Sequence, residues 1–204
     1  MTVFQVPAVL SAVWKGRVWR LRTVPNVVYL TFDDGPIPIV TPWVLDLLKQ
    51  HGIKATFFCV GENVKKNSEI YQRIISEGHS VGNHSMHHEK GTKTKYESYL
   101  ASVEEASEYI DSNLFRPPYG RITPKQSRGI RKRFRIIMWS WLSYDFDSTV
   151  PVDHILQNAR KEIRSGDILV LHDNIKSFER LQQILPEVIA IVEQKGLRFL
   201  PIKN

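Results

Sequence analysis

The chain holds one cysteine, Cys59, among 204 residues. That excludes an internal disulfide and any metal site built from thiolates alone. No apolar run reaches the ~18 residues needed to cross a bilayer, so no transmembrane helix is expected. No low-complexity stretch, linker or internal repeat divides the chain. Nor do basic residues precede the first apolar stretch, Val6 to Trp14; they follow it, the wrong order for a secretory signal. The expectation is a cytoplasmic protein. The stretch itself reads as a first strand, a short packed helix, or an interfacial anchor with Trp14 and Trp19 beside basic residues, in that order.

What is present fits one globular domain. Hydrophobic residues make up 42% and charged residues 24%, which argues against disorder. The formal net charge is +7, a weak pull toward acidic partners. Part of the excess sits in Arg128, Arg131, Lys132, Arg133 and Arg135, and part in Lys15, Arg17, Arg20 and Arg22. Such runs read first as solvated faces. No aromatic-rich nucleic-acid signature accompanies them, so no nucleic-acid partner is expected.

Short apolar runs alternate with helical patterns. The strands expected are Val27–Asp34, Ala55–Val60, His79–Asn83, Leu114–Arg116, Arg135–Trp141, Asp167–His172 and Arg198–Ile202. Between them Thr41 and Pro42 read as a helix start, Thr94 and Glu97 as a capping box, and Thr123 with Gln126 as another. Further helices are expected around Ile70–Ile75, over Val152–Arg164 and over Ser177–Lys195, the last kinked or split by Pro186. Seven strands with helical crossovers predict a parallel sheet, curled into a barrel or doubly wound. In such α/β folds chemistry collects where strands end.

The strand ends carry the informative residues. The first ends in Asp33-Asp34-Gly35-Pro36, where a turn can bring two carboxylates into one cleft. The third ends in Asn83-His84-Ser85-Met86-His87-His88. His84 and His88 can converge on one ion through one local turn. With Asp34 they supply three ligands and leave a position open, the pattern of a catalytic zinc site. The fourth exit holds Arg116 and the stiff Pro117-Pro118-Tyr119 turn; the fifth leads to Asp145; the sixth ends at His172. Each alone has a bland reading as a polar turn or a satisfied core residue. Five at successive exits of one sheet do not.

These residues resemble the polysaccharide deacetylase family, built on the chitooligosaccharide deacetylase (NodB-like) domain and classed as family 4 carbohydrate esterases. The resemblance runs from about Val27 to Ile202 through TFDDGP at 31–36, HSMHH at 84–88, RPPYG at 116–120, the Asp145 region and LVLHD at 169–173. It implies a distorted, seven-stranded (β/α) barrel over residues 27–204, with residues 1–26 as an extension packed on it. It implies Asp33 as general base, Asp34, His84 and His88 as metal ligands, and His172 as general acid. Arg116 would orient Asp33, Asp145 would support His172, and Tyr119 would offer its backbone N–H to an oxyanion. The implied cofactor is a divalent cation, zinc ahead of cobalt or nickel. The implied activity is N-deacetylation of an acetylated glycan, with O-deacetylation or non-catalytic glycan binding as alternatives. One motif departs: Leu142 stands where the family often has an acid and Phe146 where it has a Trp. That leaves Asp147 as a rival to Asp145.

Overall fold

The computed structural model describes Phe4, Gln5, Trp14 and residues 16–203. The apolar stretch from Val6 lies almost wholly outside the described residues; its last member, Trp14, stacks on Trp19 at 5.7 Å.

Among the described residues, nine strands form one sheet with all strand pairs parallel: β1 (Arg17–Val18), β2 (Val27–Asp33), β3 (Thr56–Cys59), β4 (Ser80–Asn83), β5 (Leu114–Phe115), β6 (Arg135–Ile137), β7 (Trp141–Leu142), β8 (Ile168–His172) and β9 (Arg198–Phe199). Every residue of β2 is buried, as a central strand with both faces covered requires. All seven expected strands are found, with one correction. The fifth breaks in two, because its halves serve different neighbours. β6 pairs with β5, whereas β7 pairs with β8. The sheet curls so that this one segment reaches both ends of its strand order, β1-β6-β5-β4-β3-β2-β8-β7. Between the halves, the Met138 N–H donates to the Val18 carbonyl and the Ser140 N–H to that of Ile168. At the opposite end β9 pairs with the start of β2, and the Ile202 N–H donates to Thr56 Oγ1.

Among the described residues, seven α-helices cover the sheet: α1 (Val40–Gln50), α2 (Gly61–Lys66), α3 (Ser68–Ser76), α4 (Tyr96–Ala106), α5 (Pro124–Ile130), α6 (Val152–Glu162) and α7 (Phe178–Gln194). The apolar side of α7, including Leu181, Leu185, Val188 and Val192, lies in the main core with Leu30, Phe32 and Leu171 of the strands. Pro186 is accommodated within α7, which stays one helix. The Thr123–Gln126 capping box forms as expected. Two other expected caps do not. Thr94 Oγ1 donates to the Lys90 carbonyl, so α4 starts later, at Tyr96. Thr41 lies inside α1 and donates to Asp173 instead.

Among the described residues, none of the helices is long and apolar enough to cross a membrane. Arg128, Arg131, Lys132, Arg133 and Arg135 are all exposed, as a solvated run should be. Within residues 1–26, β1 pairs with β6, Phe4 enters the main core, and Arg20 pairs with buried Asp167 at 3.0 Å.

Candidate active site

Parallel register brings the strand exits level. Asp33 of β2 sits opposite His172 of β8, and Cys59 of β3 opposite Asn83 of β4. The polar residues that follow these strands therefore share one cleft. A cavity of about 530 Å³ opens there.

Asp34, His84 and His88 converge in it. One ligand atom from each lies within 4.8 Å of the other two, the one such cluster of three among the described residues. Asp34 Oδ1 stands 3.0 Å from His88 Nε2 and 3.7 Å from His84 Nε2. This oxygen is buried and makes no geometrically sound hydrogen bond, despite the short distance to His88. An orphaned carboxylate oxygen faced by two imidazole nitrogens fits a cation site better than a hydrogen-bonded network.

The protonation states agree. Burial, more than the opposing Asp33 and Asp34 charges can offset, holds the His84 imidazole down to about 4, in its neutral, ligating form. Its Nδ1–H donates to the Arg116 carbonyl at 2.7 Å, leaving the Nε2 lone pair for a metal. Burial alone would raise the Asp34 carboxyl, but His88, His172 and His84 together hold it well below the carboxylate range.

The backbone is strained where these side chains must point. Non-glycine residues with positive φ include Asp34 (86°), Ser85 (62°), His88 (58°) and Tyr119 (58°). Each such conformation costs of order 1–3 kcal/mol and persists only if the surroundings enforce it. They do. The Ser85 N–H donates to Asn83 Oδ1, and the Gly61 and Glu62 N–H groups donate to the carbonyls of Ser85 and Met86. The Ser85 hydroxyl is turned to Glu89, away from the ligand cluster.

Asp33 is held by Arg116, whose Nη1 donates to its Oδ1 at 2.6 Å. Arg116 is fully buried, stacks over Phe58 at 4.0 Å, and donates also to Thr31 Oγ1 and the Ile137 and Met138 carbonyls. Asp33 Oδ2 stays free of the arginine and lies 4.0 Å from His84 Nε2.

His172 and Asp145 form a second pair. His172 Nδ1 meets Asp145 Oδ1 at 2.7 Å, and the His172 N–H donates to Asp145 Oδ2 at 2.7 Å. Burial by itself would lower this imidazole; the Asp145 charge and hydrogen bond outweigh it and push it up to about 9. Asp147, the rival, turns to Thr149 instead.

This set of strand-end residues has known counterparts. The sequence profile described as polysaccharide deacetylase matches residues 20–134. The chain belongs to that family. A peptidoglycan-N-acetylglucosamine deacetylase of Bacillus cereus is 30% identical over 193 residues, covering 91% of both chains. A chitooligosaccharide deacetylase of Bradyrhizobium sp. is 37% identical over 194 residues, covering 86% of this chain and 88% of the relative. In three dimensions the fold matches a peptidoglycan N-acetylglucosamine deacetylase solved with 4-naphthalen-1-yl-N-oxidanyl-benzamide. That match has a TM-score of 0.78 and 31% identity, and covers 97% of this chain and 95% of that one.

The geometry of this polysaccharide deacetylase domain adds residues that the sequence reading did not single out. Asn174 donates to Asp34 Oδ2 at 2.6 Å. Asp173 is fully buried and accepts from the Thr41 hydroxyl at 2.6 Å and the Gly35 N–H at 3.1 Å. Burial pushes its carboxyl up to about 8, against the pull of those donors. Gly35 is required by this approach: a Cβ there would lie 2.1 Å from Asp173 Oδ2. The one available signal was position, since both residues directly follow His172 at a strand exit.

Proposed function

We propose that this chain is a metal-dependent hydrolase that removes N-acetyl groups from acetamido-sugar polymers or oligomers, of the chitooligosaccharide or peptidoglycan kind. The products are acetate and a free amine. One observation carries the reading: the unbonded Asp34 Oδ1 faces His84 and His88, with the Asp33–Arg116 and His172–Asp145 pairs beside it. The named activities of the relatives support it.

A dication held by Asp34, His84 and His88 would supply Lewis acidity toward the acetyl carbonyl and acidify a water. Zinc suits two imidazoles and a carboxylate, with cobalt or nickel as substitutes. The remaining work falls to the chain. Asp33 takes the proton of the attacking water through Oδ2, since Arg116 occupies Oδ1. The Tyr119 N–H is offered to the developing oxyanion; losing one such donor costs ~3–4 kcal/mol. His172, with Nδ1 engaged by Asp145, presents Nε2 to the leaving nitrogen. An amine leaves poorly without a proton, so a His172 held charged to about pH 9 suits an amide better than an O-acetyl ester.

The test is acetate release from acetylated glycans before and after chelation, with zinc, cobalt or nickel added back. Activity on N-acetylglucosamine oligomers, abolished by chelator and restored by metal, is expected. Release from acetylxylan alone would move the reading to ester cleavage, and binding without release to a non-catalytic module.

A further inference from the structure

The two flanks of the cleft repeat one arrangement. On one side the His88 ring contacts Tyr119 at 4.6 Å between centroids, and Lys90 Nζ lies 5.9 Å over Tyr119. On the other, the His172 ring contacts Phe146 at 5.0 Å, and Lys176 Nζ lies 6.0 Å over Phe146. Each site histidine thus leads outward to an aromatic ring, and each ring to an ammonium. Arg121 adds a third cation to the same cavity wall.

These cations are not neutralised by an acid in the cavity wall. The acids lining the cavity are Asp33 and Asp34, both already engaged by Arg116 and by the histidines. Among the described residues, Lys90, Arg121 and Lys176 form no ion pair. Lys176 helps to hold the Asp147 carboxyl down, after Thr149, but from beyond ion-pair distance. Three like charges around one mouth repel each other, and a neutral sugar, though it can accept their hydrogen bonds, does not offset that repulsion. They attract an anionic one and speed its arrival. Beneath Lys90 the Tyr119 ring is 60% exposed, a surface on which a pyranose beside that ammonium can stack.

We propose that the natural substrate is an anionic N-acetylated glycan, carrying carboxylate or phosphate on sugars beside the acetamido sugar, and that Lys90 and Lys176 select it. This rests on the N-deacetylase reading and narrows its substrate class.

The test compares acetate release by the zinc-loaded enzyme from three oligomers. Chitotetraose is the neutral probe, a hyaluronan tetrasaccharide the carboxylate probe, and a phosphodiester-linked N-acetylglucosamine oligomer the phosphate probe. At low salt at least one anionic probe is expected to exceed chitotetraose about tenfold in kcat/KM, and which one identifies the group. High salt and the Lys90→Gln/Lys176→Gln double variant should shrink that ratio about three- to tenfold. Titrating the slow Asp33→Asn variant with each oligomer should give the same order in Kd. Equal or better turnover and binding of chitotetraose at low salt, or a preference unmoved in the double variant, would overturn this proposal alone. No acetate from any N-acetylated probe, with metal confirmed bound, would overturn the N-deacetylase reading beneath it.

Discussion

Asn174 donates its side-chain N–H to Oδ2 of Asp34 at 2.6 Å, while Oδ1 of the same carboxylate turns to His84 and His88. The amide thereby divides the carboxylate into a tethered oxygen and one left open to a metal. Asn174 is itself fixed, since its Oδ1 accepts from the Ser177 N–H at 2.9 Å. Such outer partners usually matter ~10–100-fold in metal affinity. Asn174→Ala should weaken zinc binding by about tenfold, read by competition with a chromophoric chelator. Wild-type affinity in that variant would rule out the orienting role.

Asp33 and Asp34 are neighbours in sequence with separate expected roles. His84→Ala should lose its metal on dialysis, as elemental analysis would record. Asp33→Asn should keep the metal yet lose turnover. Near-wild-type acetate release by Asp33→Asn would remove it as the base.

The His172–Asp145 pair sets an expected pH limit. An acid must hold its proton, and His172 holds it up to about 9, so kcat/KM should fall as pH rises through about 9. The cause is the Asp145 charge and hydrogen bond working against burial. Asp145→Asn should therefore move this limb to lower pH. The same raised value adds stability that is full below the unfolded histidine value and is lost as pH rises through about 9. A pH series of urea melts on both proteins reads this directly.

Arg116 and Asp33 are a buried ion pair, 0% and 4% exposed. Arg116→Met leaves a carboxylate buried without its partner, which typically costs about 3–5 kcal/mol. Adding Asp33→Asn removes the stranded charge, and the double variant should recover a large part of that loss. Urea denaturation of the four proteins gives the coupling.

Thr41 bridges two loops: its hydroxyl donates to Asp173 and accepts from the Ile37 N–H at 2.8 Å. Thr41→Val keeps the shape but strands both groups. A loss of about 1–3 kcal/mol is expected in urea melts, with the Asp33–Asp34 turn loosened as well. An unchanged midpoint would mean that water replaces the hydroxyl.

Much of the fold was legible because its strands are short β-branched and aromatic runs between polar turns. Val27–Asp33 and Ile168–His172 show that signal well. The break after Ile137 was not legible. Nothing in Arg135–Trp141 marks it, since it follows from which neighbour each half meets when the sheet curls. The Thr94–Glu97 pattern misled for a related reason, because the Thr94 hydroxyl had a nearer partner in the Lys90 carbonyl.

The amino-acid sequence by itself determined the chemical inventory: a paired carboxylate, two histidines one turn apart, an arginine and a further histidine, each at a strand exit. Side-chain type and local spacing suffice for that. Tertiary structure decided the assignments. Asp145 rather than Asp147 meets His172 because the Ser143 N–H donates to the Val170 carbonyl and sets Asp145 in the buried register. Asp173 and Asn174 gained partners in Thr41, Gly35 and Asp34, more than 130 residues away. Those pairings exist only once β2 and β8 lie side by side, and no local pattern encodes which distant strand will be the neighbour.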